Sequence, residues 1–113
     1  MHELSIATSI IEIAEEFAIK NKGANIIKIE IEVGELSGIV VDSLEFALEL
    51  AIEKTVLERA KIIITTIKGM ARCKQCGNEY VNSDWYTACP QCASMDFDIT
   101  GGKELQIKSI FIE

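Results

Sequence analysis

Four cysteines carry the clearest chemical signal in this chain. Cys73-Lys74-Gln75-Cys76 and Cys89-Pro90-Gln91-Cys92 are two CxxC pairs separated by 12 residues. Each CxxC turn can aim two thiolates at one centre, and two such turns complete a tetrahedron of sulfurs. Gly77 after the first pair and Pro90 inside the second suit tight turns. The spacer is slightly shorter than the usual zinc-ribbon template, yet long enough for a hairpin. Zinc on Cys73, Cys76, Cys89 and Cys92 is the reading this spacing favours. Four thiolates leave no position for water, so such a zinc is structural rather than catalytic. Three alternatives stay open. A rubredoxin-like iron site uses the same donors; a dithiol redox centre would use one pair and leave the other without a purpose; and the cysteines could be buried without a ligand.

The only histidine, His2, lies at the other end, between Met1 and Glu3. It leaves no Ser/His/Asp or Cys/His catalytic set, and no phosphate-binding glycine loop appears, so the chain does not read as an enzyme. A lone histidine at a frayed end can be inert. With a free amino group at Met1, however, the amine, the backbone amide of residue 2 and the His2 imidazole form fused chelate rings. A further amide or the Glu3 carboxylate adds a fourth donor. Nitrogen-rich planar donors of this kind suit Ni²⁺ or Cu²⁺ better than zinc.

Composition narrows the partners. Of 113 residues 49% are hydrophobic, enough for a core, and the formal net charge is −7. Residues 1–68 hold 7 Lys/Arg against 12 Asp/Glu, and residues 69–100 hold 2 against 4, so neither part offers a basic footprint for nucleic acid. No apolar run approaches the roughly 18 residues of a membrane span. Glu12, Glu15 and Glu16 interrupt the first apolar stretch, unlike a signal peptide. The chain reads as cytosolic, where paired cysteines point to metal or redox work.

Elements must position these donors. Leu4, Ala7, Ile10, Ile11, Ala14, Phe17 and Ala18 recur at helical spacing, and Lys20, Lys22 and Gly23 end the run. Ile27, Ile29, Ile31 and Val33 alternate with charged residues as a half-buried strand. After a turn from Gly34 to Gly38, Asp42 and Glu45 resemble a capping box for a second helix through Leu44, Ala47, Leu48, Ala51 and Ile52. Residues 61–67 and 104–112 read as further strands. Gly69 and Gly101-Gly102 bracket the cysteines. The expectation is an α+β fold: two helices on a small, about three-stranded sheet, with a four-cysteine zinc ribbon inserted. Residues 1–68 plus 101–113 would form the α/β domain and residues 69–100 the module, which helps complete a marginal core. Asp42 and Glu35 are carboxylates available to nickel or a partner; a cap explains Asp42 better, and Glu35 stays open, a turn carboxylate being most often merely solvated. Trp85 and Tyr86 either pack on the metal knuckles, the favoured reading, or offer an exposed aromatic anchor to a protein partner.

Met1-His2-Glu3-Leu4-Ser5, Val33-Gly34-Glu35-Leu36-Ser37-Gly38, Ala71-Arg72-Cys73 and Gly102-Lys103-Glu104-Leu105 occur in that order. Together they resemble the HypA/HybF family of hydrogenase maturation nickel metallochaperones, over essentially the whole chain. The resemblance implies a nickel-delivery protein with transient Ni²⁺ on Met1, His2 and Glu3 and structural Zn²⁺ on the four cysteines. It implies a nickel-handling maturation GTPase and the hydrogenase large-subunit precursor as partners, with urease maturation proteins added by a related family role. Some members carry histidines beside the cysteine pairs; here Gly77, Asn78, Ala93 and Ser94 stand there, so no flanking histidine is available to the zinc site. The alternative function is a zinc-ribbon adaptor of transcription or translation, which the acidic charge disfavours.

Overall fold

The computed structural model describes residues 3–113, so Met1 and His2 lie outside the described residues. Helix α1 spans Glu3–Lys20 and turns its Ala7, Ile10, Ile11, Ala14 and Ala18 stripe inward. It stops where Lys22 and Gly23 take positive φ (61° and 72°) and the Gly23 N–H returns to the Ala18 carbonyl at 2.8 Å. Strand β1, Ile26–Gly34, follows, then helix α2, Val41–Ala51, and strand β2, Lys61–Ile67. Strands β3 (Met70–Cys73), β4 (Glu79–Val81) and β5 (Phe97–Gly101) surround the cysteines, and β6 (Leu105–Ile112) ends the chain.

Two three-stranded sheets result, with orders β2-β1-β6 and β4-β3-β5. In the first, β1 is central, parallel to β2 across the α2 crossover and antiparallel to β6. Ile29, Ile31 and Val33 of β1 pack with the inward faces of α1 and α2, and Leu57 closes the core at 0% exposure. These isoleucines suit a pleated, half-covered sheet, since β-branched side chains are already stiff at χ1. The result is the expected α+β arrangement of two helices on a three-stranded sheet.

Three local expectations are corrected. Ile27 does not share the buried face; it is 48% exposed, because a register shift between Ile26 and Lys28 opposite β6 inverts the alternation and buries Ile26 instead. Asp42 does not cap α2. The N-cap position is Val40, without a side-chain hydrogen bond, and Asp42 sits within the first turn, where its charge favours the helix dipole. The spacer between the cysteine pairs does not pair with itself: β4 returns onto β3, and β5, beyond the second pair, covers the other edge of β3.

The sheets meet where glycines touch. A Cβ on Gly34 would lie 1.9 Å from the Gly102 oxygen, and one on Gly102 would lie 2.5 Å from the Gly69 Cα. This backbone crossing is tied by Leu36 N–H to Gly102 O at 2.6 Å, Gly34 N–H to Glu104 O at 2.7 Å and Asn82 N–H to Gly69 O at 2.8 Å.

Candidate metal centre

The two cysteine arms fold alike. Gly77 N–H donates to Cys73 O at 2.9 Å and Ala93 N–H to Cys89 O at 2.7 Å. Cys73 N–H reaches Asn78 O and Cys89 N–H reaches Ser94 O, both at 2.9 Å. Gly77 and Ala93 occupy matching left-handed positions, φ 77° and 63°. Such turns point backbone N–H groups and two sulfurs toward one centre. All four sulfurs lie within 4.8 Å of one another, with Cys73 to Cys92 at 3.5 Å and Cys76 to Cys89 at 3.6 Å. A tetrahedron with metal–sulfur bonds of about 2.3 Å has edges of about 3.8 Å, so a zinc-sized ion fits this cluster with little adjustment.

Electrostatics point the same way. Burial raises the Cys89 thiol, but the N–H groups of Cys92 and Gln91, with Cys76 and the Asn78 amide, outweigh it and bring the pKa to about 6. The Cys76 N–H holds Cys73 low against burial. Cys92 goes the other way: the Ser94 N–H lowers it, yet Cys73, burial, Cys76 and Cys89 together push it up to about 12. Cys76 is also raised, because burial and its bonds to Cys89 and Cys73 exceed the lowering by the Asn78 N–H. Cys73 and Cys89 are therefore the sulfurs that ionise more readily than an ordinary thiol, and Cys76 and Cys92 those that ionise less readily. A bound dication would favour ionisation of all four, which is the protonation state metal ligation requires.

Trp85 and Tyr86 do not pack on the knuckles. Tyr86 is 79% exposed, and Trp85 lies under the Lys103 ammonium, 5.2 Å from its ring centre. Asp84 explains this: its Oδ1 accepts Tyr86 N–H and Thr87 Oγ1, both at 2.9 Å, in a turn that directs the aromatics outward. Tyr80 fills the expected role, buried with Ala71, Cys73 and Cys89 and edge-on to Phe97 at 6.2 Å.

Glu35, left open by the sequence, is a tie between the sheets. Its Oε1 accepts Gly69 N–H at 2.7 Å and Ser83 Oγ at 2.9 Å. Those partners stand 34 and 48 positions away, beyond any local pattern. The Gly69 N–H, then the Ser83 hydroxyl and the Lys68 charge, hold its carboxyl below the ordinary range against a small burial penalty. A depressed folded pKa contributes stability that is complete above the ordinary glutamate value and is lost as pH falls through the depressed one. Glu35→Gln should therefore flatten the acid limb of the stability–pH profile. Glu35→Ala should also speed amide exchange at Gly69 and Asn82 by about tenfold; unchanged exchange would remove Glu35 from this role.

Of the N-terminal donors, Glu3 opens α1 and is half-buried, while Met1 and His2 fall outside the described residues. The first turns of α1 face the start of β6, since Ser5 and Ser9 line a groove with Leu105 and Gln106. Asp42 and Glu35 belong to the same end of the sheet, after β1, but the metal-capable cluster among the described residues is the four cysteines alone.

A family model described as "Hydrogenase/urease nickel incorporation, metallochaperone, hypA" matches residues 1–112. The chain belongs to the HypA family. Among HypA relatives, the hydrogenase maturation factor HypA of Parabacteroides distasonis is 45% identical, covering 100% of this chain and 98% of the relative. The HypA of Geobacter metallireducens is 34% identical over the full length of both. The solution structure of the nickel metallochaperone HypA from Helicobacter pylori superposes with a TM-score of 0.68 at 31% identity, covering 99% of this chain and 97% of that one. A second HypA solution structure gives 0.73 at 30% identity, covering 100% and 97%. No helix among the described residues is long and apolar enough to cross a membrane.

Proposed function

We propose that this HypA-family chain is a non-catalytic accessory protein that delivers Ni²⁺ to the apo-enzyme in nickel–iron hydrogenase maturation. A role in urease maturation follows from the same family description. Family membership across residues 1–112, with Met1-His2-Glu3 at the start, is the observation that carries this reading. The cargo ion is held by the Met1 amine, the amide and imidazole of His2 and the Glu3 carboxylate. Cys73, Cys76, Cys89 and Cys92 hold a structural zinc, a closed set that takes no part in nickel transfer. Residues 69–100 form the zinc module on an α/β domain of residues 1–68 and 101–113, a division supported by the two separate sheets.

Transfer proceeds by ligand exchange. A small terminal site binds nickel through few side chains, so a partner's donors can replace them one at a time. The maturation GTPase and the hydrogenase large-subunit precursor are the partners, both reached in the cytoplasm. Acid weakens binding by protonating the imidazole and the amine. The test is a nickel titration of the chain with its native N-terminus, beside His2→Ala and a form with one residue added before Met1. Both alterations should weaken binding by about a hundredfold or more. Equal affinity in all three would exclude the N-terminal site.

A further inference from the structure

The sheet leaves β2 as an edge strand whose single neighbour is β1. Half of its backbone N–H and C=O groups therefore lack a strand partner. Beside that edge runs a groove of about 260 Å³, floored by Leu48, Ile52, Ile62 and Ile64 and rimmed by Glu45 and Glu49 of α2. The ion pairs among the described residues are Lys28 with Glu30 and Lys74 with Asp96 and Asp98, so neither rim carboxylate has a cation.

The placement of these glutamates runs against the helix that carries them. Val41–Ala51 contains Asp42, Glu45 and Glu49 and no basic residue, and Glu53 continues the stripe just beyond it. Like charges four apart weaken a helix, and Glu49 near the C-terminal end also opposes the dipole. An uncompensated acidic rim over an apolar floor, beside an unpaired strand edge, matches one kind of occupant. We propose that β2 and α2 form a docking surface for an extended, basic segment of a partner protein, added as a fourth strand.

In a strand paired to β2, alternate side chains face α2. An apolar side chain there meets Ile62 and Ile64, and Lys or Arg two positions to either side lays its stem on the floor and its charge against Glu45 or Glu49. A second copy of this chain fits poorly, because pairing two β2 edges brings one glutamate rim against another. The matching groove along β6, between Ile6, Ile10, Leu105 and Ile107, has no carboxylate in its lining and serves as an internal comparison. The proposal is independent of where nickel binds.

The probe is a blocked peptide, Thr-Lys-Thr-Val-Thr-Lys-Thr, titrated into the zinc-loaded full chain and followed by backbone amide NMR. Shifts should concentrate on β2 and on Glu45 and Glu49, and should fade with added salt. Replacing both lysines with glutamate should abolish them. Glu45→Gln with Glu49→Gln should weaken binding by about tenfold while the melting temperature holds or rises. Glu12→Gln with Glu16→Gln removes the same charge from α1 and should change binding by less than about twofold. Three results would overturn the proposal: no localised shifts at millimolar peptide, shifts centred on β6 or the Trp85 turn, or equal weakening by both double variants. Self-association through β2 would assign the edge to a second copy instead.

Discussion

Cys89→Ser should cost the chain the zinc proposed for its four cysteines and its second sheet together. Cys89 is 1% exposed, its thiol is already drawn down to about 6, and its sulfur faces that of Cys76 at 3.6 Å. Serine cannot supply a thiolate, and metal binding at such a site is folding free energy. Zinc affinity should fall by about a hundredfold or more. The hydrophobic cluster left behind is Ala71, Cys73, Tyr80 and the partly buried Phe97 and Ile99, too little to hold β3, β4 and β5 in place. Residues 70–101 then become a floppy link between β2 and β6. Closing a loop of about 30 residues opposes β6 pairing by about 3 kcal/mol, so the first sheet should melt roughly 10–20 °C lower. A chromogenic zinc chelator, amide exchange and thermal melts read the three effects. Persisting protection of β3–β5 without metal would show that packing alone maintains them.

Gly34→Ala should be the most damaging single methyl group in the chain. Gly34 needs no positive φ, so the effect isolates contact from backbone conformation. Its Cβ would sit 1.9 Å from Gly102 O, 2.1 Å from Gly102 C and 2.7 Å from Lys103 N, all backbone atoms that no rotamer change relieves. The strands must separate, which breaks the bonds from Gly34 N–H to Glu104 O and from Leu36 N–H to Gly102 O. A loss of about 3–5 kcal/mol is expected, in the range reserved for forced rearrangement. Gly38→Ala is the control. Gly38 has φ 81° and nothing within 4 Å of a Cβ, so it should lose only about 1–2 kcal/mol, the left-handed penalty. Chemical denaturation of both variants with zinc bound decides the matter; similar losses would mean the crossing is looser than it looks.

Much of this was legible in the chain because it is local. The apolar spacing of α1 and α2, the alternation in β1 and the CxxC pairs each repeat within one element or turn, and the ordered motifs placed the chain in its family. What escaped was set by tertiary geometry. Ile27 and Ile26 exchange places because β6, almost the whole chain away, imposes a bulge. Glu35 finds Gly69 and Ser83 only after two sheets meet. Tyr80 and Trp85 have similar apolar character, and the choice of which is buried rests on the Asp84 turn. Three glycines read as punctuation are the surface of contact between the sheets.

The position of β6 has a consequence for how the chain folds. Its first sheet places β1 between β2 and β6, and the register pairs Ile26 with Ile112. Until the segment beyond the cysteines pairs with it, β1 therefore keeps one edge bare. All four cysteines precede that segment in the chain. The thiolate site can fill while the first sheet is still open, and a filled site brings Gly69 and Gly102 together, which delivers β6 to the edge awaiting it. On the proposed assignment, zinc supply would act as a step in folding, ahead of the loading of the proposed nickel cargo.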